Sequence, residues 1–267
     1  MTEFYLLKNN SNGQMMGLLF RDDENIIIFD GGTGGDSVGI LSLLEDLGVS
    51  HIDAWFFTHP HPDHTFAFRD ILLNHKEISV GKVLRNFPSP EFIKEHTKRG
   101  EYEYNALVEF NKLSDKRFTS FNKGDVFYIG KFKIEVMRTF NPEITSDVAN
   151  NSSAVFKVTG ENKTVLILGD LGIEAGHEVM EMYMPESLEA DFTQMAHHGQ
   201  NGVDKSFYEK FTPKACLWAS PSWLWDNDQG NGFDTGIYNT VRTREWMAEL
   251  GVTEHYVEKD GPIRLEI

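Results

Sequence analysis

The sequence predicts an α+β fold in which two mixed β-sheets face each other with helices on their outer faces. Three observations lead there. Short apolar runs of β type fall into two groups, one before residue 88 and one after residue 123. Amphipathic helical stretches are interspersed in both groups, and no repeat, low-complexity tract or flexible linker separates them. A chain of 267 residues with 40% hydrophobic content and 20 Phe can bury a sizeable core, so residues 1–267 are read as one domain.

The elements follow in chain order. "FYLL" (4–7), "MGLLF" (16–20) and "NIIIFDGG" (25–32) read as a meander of strands, with "NNSNG" and "RDDEN" as polar turns. "SVGILSLLEDLG" (37–48) has apolar residues at helical spacing and stops at Gly48, a glycine cap. "IDAWFF" (52–57) is a strand that runs straight into a histidine cluster. A helix through "FAFRDILLNH" (66–75) and a strand at "VGKVLRNF" (80–87) come next. Between 88 and 123 the composition turns charged and helical with no β pattern, which predicts an insertion over the site. Strands resume with the hairpin "DVFYIGKFKIEVM" (125–137), turning on Gly130, then "SAVFKV" (153–158), "TVLILGD" (164–170), "ADFTQMA" (190–196) and "ACLWAS" (215–220). A helix and strands in "TREWMAELGVTEHYVEKDGPIRLEI" close the chain.

Charge and cysteine content narrow the function. With 25 Lys+Arg against 41 Asp+Glu, the formal charge of -16 repels a phosphate backbone at long range, which disfavours extended nucleic acid as a partner. The single cysteine, Cys216, excludes an intrachain disulfide and any multi-thiolate metal site, and its apolar neighbours place it in a strand core. No apolar run approaches the roughly 18 residues of a membrane span, and no charged-then-apolar leader opens the chain. A cytoplasmic protein without membrane contact is expected, and no oligomeric state is predicted.

The chemistry concentrates in His59-Pro60-His61-Pro62-Asp63-His64. Positions 59, 61 and 63 point the same way if the backbone stays extended, as both prolines favour; His64 then enters a turn or the next helix. Imidazole and carboxylate suit zinc, manganese or iron, and so many rings would repel one another if protonated, so a cation is expected among them. "TVLILGD" delivers Asp170 at the end of a buried strand, where a carboxylate is costly unless paired or bound to a cation. "HHGQNG" presents His197 and His198 after another strand, and "IIIFDGG" presents Asp30 before two glycines. Four strand ends thus lead Asp or His into glycine or proline turns. The aromatic residues of "WLW" (223–225) and "YEYN" (102–105) are read as packing or a solvated helix face.

The ordered pieces "FDGG", "THPHPDH", "NNSSAVF", "VLILGD" and "AHHG" resemble the metallo-β-lactamase superfamily. More narrowly, the last three pieces and the tail "MAELGVTEHYVEKDGPIRLEI" are similar to the soluble hydrolase domain of competence-type DNA-uptake proteins. The resemblance implies a four-layer αββα sandwich with two divalent ions, zinc or manganese, at one edge. It implies His59 and His61 on the first metal, Asp63 and His64 on the second, and Asp170 bridging. Of the histidine pair, His197 is expected to be a ligand of the second metal and His198 to face substrate, with the reverse open. Asp30 would orient the histidine loop by hydrogen bonding. Where many members carry a further histidine, this chain has Asn150 and Asn151, whose amide oxygens are weaker ligands. Where the competence-type domains tend to have another histidine, it has Tyr238 and Asn239.

The implied reaction is hydrolysis by a metal-activated water, with Asp63 accepting a proton and His198 holding or protonating the leaving group. A small phosphodiester or related anionic ester is the expected substrate. The alternative is a lactone or thioester in an apolar pocket formed by Trp223, Trp225 and the 88–123 segment. A third reading is a member that binds metal and catalyses nothing.

Overall fold

The structure, a computed structural model, describes residues 1–97 and 100–267. Residues 98 and 99, inside the segment expected to be helical, lie outside that description. Strands β1 (Glu3–Leu6), β2 (Gly17–Arg21), β3 (Ile26–Asp30), β4 (His51–Phe56), β5 (Ser79–Arg85) and β6 (Phe118–Ser120) build the first sheet. The second holds β7 (Val126–Ile129), β8 (Phe132–Arg138), β9 (Val155–Thr159), β10 (Thr164–Ile167), β11 (Phe192–Gln194), β12 (Ala215–Trp218) and β13 (Glu254–Val257). The last strand, β14 (Ile263–Glu266), crosses back to pair with β1 in the first sheet, so each sheet has 7 strands.

Both sheets follow one plan. The pairs β14–β1, β1–β2 and β2–β3 are antiparallel, and β3–β4, β4–β5 and β5–β6 are parallel. The second sheet repeats this, with β7 to β10 antiparallel and β10 to β13 parallel. Parallel strands need crossovers that cover both faces, so their sequences run apolar without alternation, as "IIIF" and "ACLW" do.

Helices α1 (Ser37–Asp46), α2 (Pro62–Asn74), α3 (Pro90–His96) and α4 (Gly100–Asn111) belong to the first half. The second half has α5 (Val148–Asn151), α6 (Ile173–Met182), α7 (Pro185–Leu188), α8 (Lys205–Lys210), α9 (Ser222–Trp225) and α10 (Thr240–Glu249). Between the sheets lies a phenylalanine-rich core: Phe29 meets Phe156 at 5.2 Å, Phe20 meets Phe132 at 5.8 Å and Phe4 meets Phe192 at 5.4 Å between ring centroids. The opposite strand faces pack outward. Ile28, Trp55 and Phe57 meet Ile40, Phe68 and Phe110 from α1, α2 and α4, while Leu166 and Cys216 share a cluster with Val179, Phe207 and Met247 from α6, α8 and α10. The result is the four-layer αββα sandwich.

Two element boundaries differ from the sequence reading. The stretch after residue 88 contains an edge strand: β6 pairs in parallel with β5, although "FTS" is too short and too exposed to carry a β pattern. Helix α2 begins at Pro62 rather than Phe66, because a proline in the first helical position has no N–H to lose and already has helical φ. The extended backbone therefore stops at His61, the N-cap, and Asp63 and His64 sit in the first helical turn. Among the described residues no helix is long and apolar enough to cross a membrane.

Candidate metal centre

The site forms where the carboxyl ends of the parallel strands of both sheets meet, the place open α/β sheets reserve for ligands. Asp30 ends β3 with a left-handed backbone (φ 53°) and is fully buried. Its Oδ1 accepts the Thr58 N–H at 2.8 Å, and its Oδ2 accepts the Thr58 hydroxyl at 2.6 Å and bonds His64 Nδ1 at 2.8 Å. Thr58 Oγ1 in turn lies 3.0 Å from His59 Nδ1. One carboxylate thus fixes the entry of the histidine loop and two of its rings.

Asp170 supplies the centre. Gly169 (φ 57°) brings the backbone so close to Thr58 that a Cβ there would fall 2.7 Å from it, and the Asp170 N–H donates to Ser153 Oγ at 3.0 Å. Its Oδ1 lies 3.2 Å from His64 Nε2; its Oδ2 lies 3.7 Å from His59 Nε2, 3.5 Å from His198 Nε2 and 3.7 Å from His197 Nε2. His61 Nδ1 stands 3.0 Å from His59 Nε2. Asp63 Oδ2 lies 3.4 Å from His198 Nε2.

Each sequence-predicted residue can now be placed. Asp30, His59, His61, Asp63, His64, Asp170, His197 and His198 are brought together; Asn151 is not, and Asn150 stands at the margin. Asn151 spends its amide on Ser146 O, Glu174 Oε2 and the Ala175 N–H, tying α5 to α6. Asn150 donates to both oxygens of Asp147 at 3.1 and 3.0 Å, leaves its Oδ1 buried without a hydrogen bond among the described residues, and lines the cleft. The histidine pair has the reverse of the expected arrangement. His198 is fully buried, its Nδ1 tied to the Ala219 carbonyl at 2.9 Å, with Nε2 aimed at Asp63 and Asp170. His197 is the partly exposed member and lines the cleft. The reason is backbone: both residues are left-handed (φ 52° and 55°), which turns the second ring inward.

Sequence reasoning missed four groups. Thr58, Ser153 and the Ala219 carbonyl hold site atoms, and only Thr58, directly before the cluster, stood where a signal could be sought. The fourth is Glu103 on α4, whose Oε1 is 3.6 Å from His61 Nε2. Nothing in its sequence neighbourhood marks it. The pocket expected around Trp223 and Trp225 does not form over the site: Trp225 packs edge-on against Trp218 at 4.9 Å, Trp223 against Tyr238 at 5.1 Å, and neither lines the cleft. The cleft, about 920 Å³, is walled instead by His61, Asp63, Asp170 and His197, by Asp147 and Asn150, and by His96, Tyr102 and Glu103 of the 88–123 segment.

The electrostatics are those of a cation site. Burial resists ionisation of Asp63 and Asp170, but His198 and His64 hold Asp63 well below the usual carboxylate range, and His64, His198, His197 and His59 do the same for Asp170. Burial pushes His64 down, yet Asp170 and Asp30 outweigh it and raise it to about 10. Burial and neighbouring rings keep His59 well below its ordinary value. Burial also raises Asp30, which His64 and Thr58 only partly offset.

His64 Nε2, Asp170 Oδ1 and His198 Nε2 are all buried and lack hydrogen-bond partners among the described residues. Unpaired buried polar atoms are costly, and these three face one another. Two sets, His59–His64–Asp170 and Asp63–His64–His198, bring their donor atoms within 4.8 Å. Neutral nitrogen and carboxylate oxygen at such spacing fit a divalent cation.

An αββα sandwich with a histidine–carboxylate centre at one edge defines a class of metal-dependent hydrolases. A family model of the metallo-β-lactamase superfamily matches residues 16–210, and the chain belongs to that superfamily. No curated protein matches it in sequence. Among solved structures, the metallo-β-lactamase fold protein YhfI from Bacillus subtilis is similar over 100% of both chains at 14% identity and a TM-score of 0.62. Tm1679, a metal-dependent hydrolase of the β-lactamase superfamily, is similar at 13% identity and a TM-score of 0.55, covering 100% of this chain and 99% of its own. A diphosphatase from the PhnP family is similar at 12% identity and 0.53, with 100% and 98% covered.

Proposed function

We propose that the chain hydrolyses a small phosphodiester or related anionic ester, using two divalent ions, zinc or manganese. One observation carries the hydrolase reading: five imidazoles and two carboxylates, Asp63 and Asp170, converge from both sheets, and His64 Nε2, Asp170 Oδ1 and His198 Nε2, which face one another, are buried without a hydrogen bond among the described residues. The phosphoester class is supported by the diphosphatase among the structural neighbours and by the cleft's polar walls. Among the described residues its lining includes no Lys or Arg, and bound ions would neutralise the charge of an anionic substrate.

His59 Nε2, His61 Nδ1 and Asp170 Oδ2 would hold one ion; Asp63, His64 Nε2, Asp170 Oδ1 and His198 Nε2 would hold the other. When bound, such ions polarise the ester oxygen and lower the pKa of water. Asp63, which lines the cleft, would take the proton from the attacking water. Partly exposed on the cleft wall, His197 would hold or protonate the leaving oxygen, the role first expected of His198. The likeness of the tail to competence-type hydrolase domains supports a phosphodiester too, while the acidic surface favours a small one, met in the cytoplasm.

The test combines elemental analysis of purified protein with a screen of phosphodiester, lactone and thioester substrates, repeated with His61→Ala. Zinc- or manganese-dependent release from a phosphodiester, lost in the variant, is expected. Turnover of carbonyl esters alone would overturn the substrate class, and a variant that kept both metal and activity would overturn the site.

A further inference from the structure

In four rings of the site one nitrogen faces the centre and the other is held from behind. His59 Nδ1 meets Thr58 Oγ1, His64 Nδ1 meets Asp30 and His198 Nδ1 meets the Ala219 carbonyl. These three supports come from the strand ends that make the fold. The fourth is different in origin: His61 Nε2 faces Glu103 Oε1, at 3.6 Å, from the segment inserted between β5 and β6.

That segment is firmly seated. From α4, Phe110 is fully buried, its ring 5.2 Å from Phe57 and 5.9 Å from Phe68, and Arg85 Nη1 donates to Asn111 Oδ1 at 2.6 Å. Ile93 of α3 and Leu107 of α4 share a buried cluster with Val148 and Ala149 of α5, the short helix that carries Asn150. The segment therefore reaches both flanks of the first ion's position, through Glu103 to His61 and through the apolar cluster to α5.

We infer that Glu103 is a positioning residue for His61, accepting its Nε2–H and so holding the ring with Nδ1 toward His59 Nε2. The inference rests on the reading of His61 as a ligand through Nδ1. A separation of 3.6 Å is ion-pair distance, beyond the ~3.2 Å reach of an N–H···O bond, so the inferred bond requires the two groups to close that gap. A carboxylate behind a ligating imidazole orients the ring and raises its basicity. Supplied by the insertion, it makes loading of one ion depend on how α4 is seated.

The experiment uses the full chain, stripped of metal, with 15N-labelled histidine. Two-bond 1H–15N spectra read the His61 tautomer, and zinc is titrated against a competing chelator. The wild type is expected to carry a proton at His61 Nε2 and to bind two zinc ions. Glu103→Met keeps the volume but removes the acceptor; it is expected to mix the tautomers and weaken one ion roughly 10–100-fold while the other stays within about twofold. Glu103→Gln, which keeps an oxygen acceptor, is expected to restore both readouts, and far-UV circular dichroism checks that α4 is intact. Should the Met variant fail to fold, Glu103→Ala replaces it against the same Gln control. An unchanged tautomer, or unchanged zinc affinity, overturns the inference. Wild-type protein that takes up no zinc overturns the metal reading instead, and the tautomer comparison alone then decides Glu103.

Discussion

His197 and His198 are neighbours in sequence, yet their side chains live in different media. His198 is held by the Ala219 carbonyl in a fully buried place beside Asp63 and Asp170, and His197 stands on the cleft wall. Replacing His198 by Ala is expected to weaken one bound ion by more than the roughly 10–100-fold that loss of an outer partner costs, measured by chelator competition. His197→Ala is expected to retain both ions and lose turnover. If the two variants behave the other way round, the assignment of the pair is wrong. The cluster His59–His64, Asp170 and the histidine pair were all legible in the sequence, because each sits at the end of an apolar run in a chemistry-dense motif. Which ring of the pair turns inward was not, since it depends on two consecutive left-handed backbones. Glu103 was illegible for another reason: its partner lies in a different element, and a lone glutamate in a charged helix carries no mark.

Strand ends carry the site, and buried polar side chains keep them in place. Gln194, fully buried at the end of β11, accepts the Leu168 N–H at 2.8 Å and donates to the Gly169 and Met195 carbonyls at 3.1 and 2.7 Å. It welds the turn that presents Asp170 to the turn that presents the histidine pair. Gln194→Leu would strand the Leu168 N–H and the Met195 carbonyl, while the Gly169 carbonyl keeps the His197 N–H at 3.0 Å, so a loss of about 2–5 kcal/mol is expected in urea unfolding, together with weaker metal uptake. An effect below about 1 kcal/mol would show that water replaces the amide. Strands and the two long amphipathic helices of the first half followed from period and turn residues. The short α5, α7 and α9, of 4 residues each, were beyond such reading because one turn of helix has no period. The start of α2 was misjudged because Pro62 was read as prolonging the strand, whereas it opens the helix.

At the scale of the molecule, one buried acid lies outside the set of groups assigned to the ions. Glu258, on the crossing from β13 to β14, is 1% exposed, and no basic side chain lies within ion-pair distance among the described residues. Burial pushes its carboxyl well above the ordinary range, Asp36 adds to this, and His198 and the Asn9 N–H oppose it. The folded state therefore holds this proton more tightly than the unfolded chain. Stability from this group is full below about pH 4.5 and falls as pH rises toward the folded value, by up to about 1.4 kcal/mol per pH unit. Glu258→Gln is expected to flatten that fall and to raise the midpoint of thermal unfolding at pH 8; an unchanged slope would show that the carboxyl is ionised in the fold.

The groups of the centre come from both halves of the chain: the 59–64 loop, held by Asp30, from one sheet, and Asp170 and the histidine pair from the other. A cation seated there would act as a clasp on a book whose two covers otherwise adhere mainly by their greasy pages. Stripping it should leave each cover intact but let the edge gape, which hydrogen exchange would register as faster labelling at residues 57–61 and 168–171 than in β2 or β9. Because ligand binding to the folded form adds ~4 kcal/mol at a thousand-fold excess over Kd, the same clasp should tie the melting temperature to free metal, so that supply of the ion governs how long the protein survives as well as whether it works.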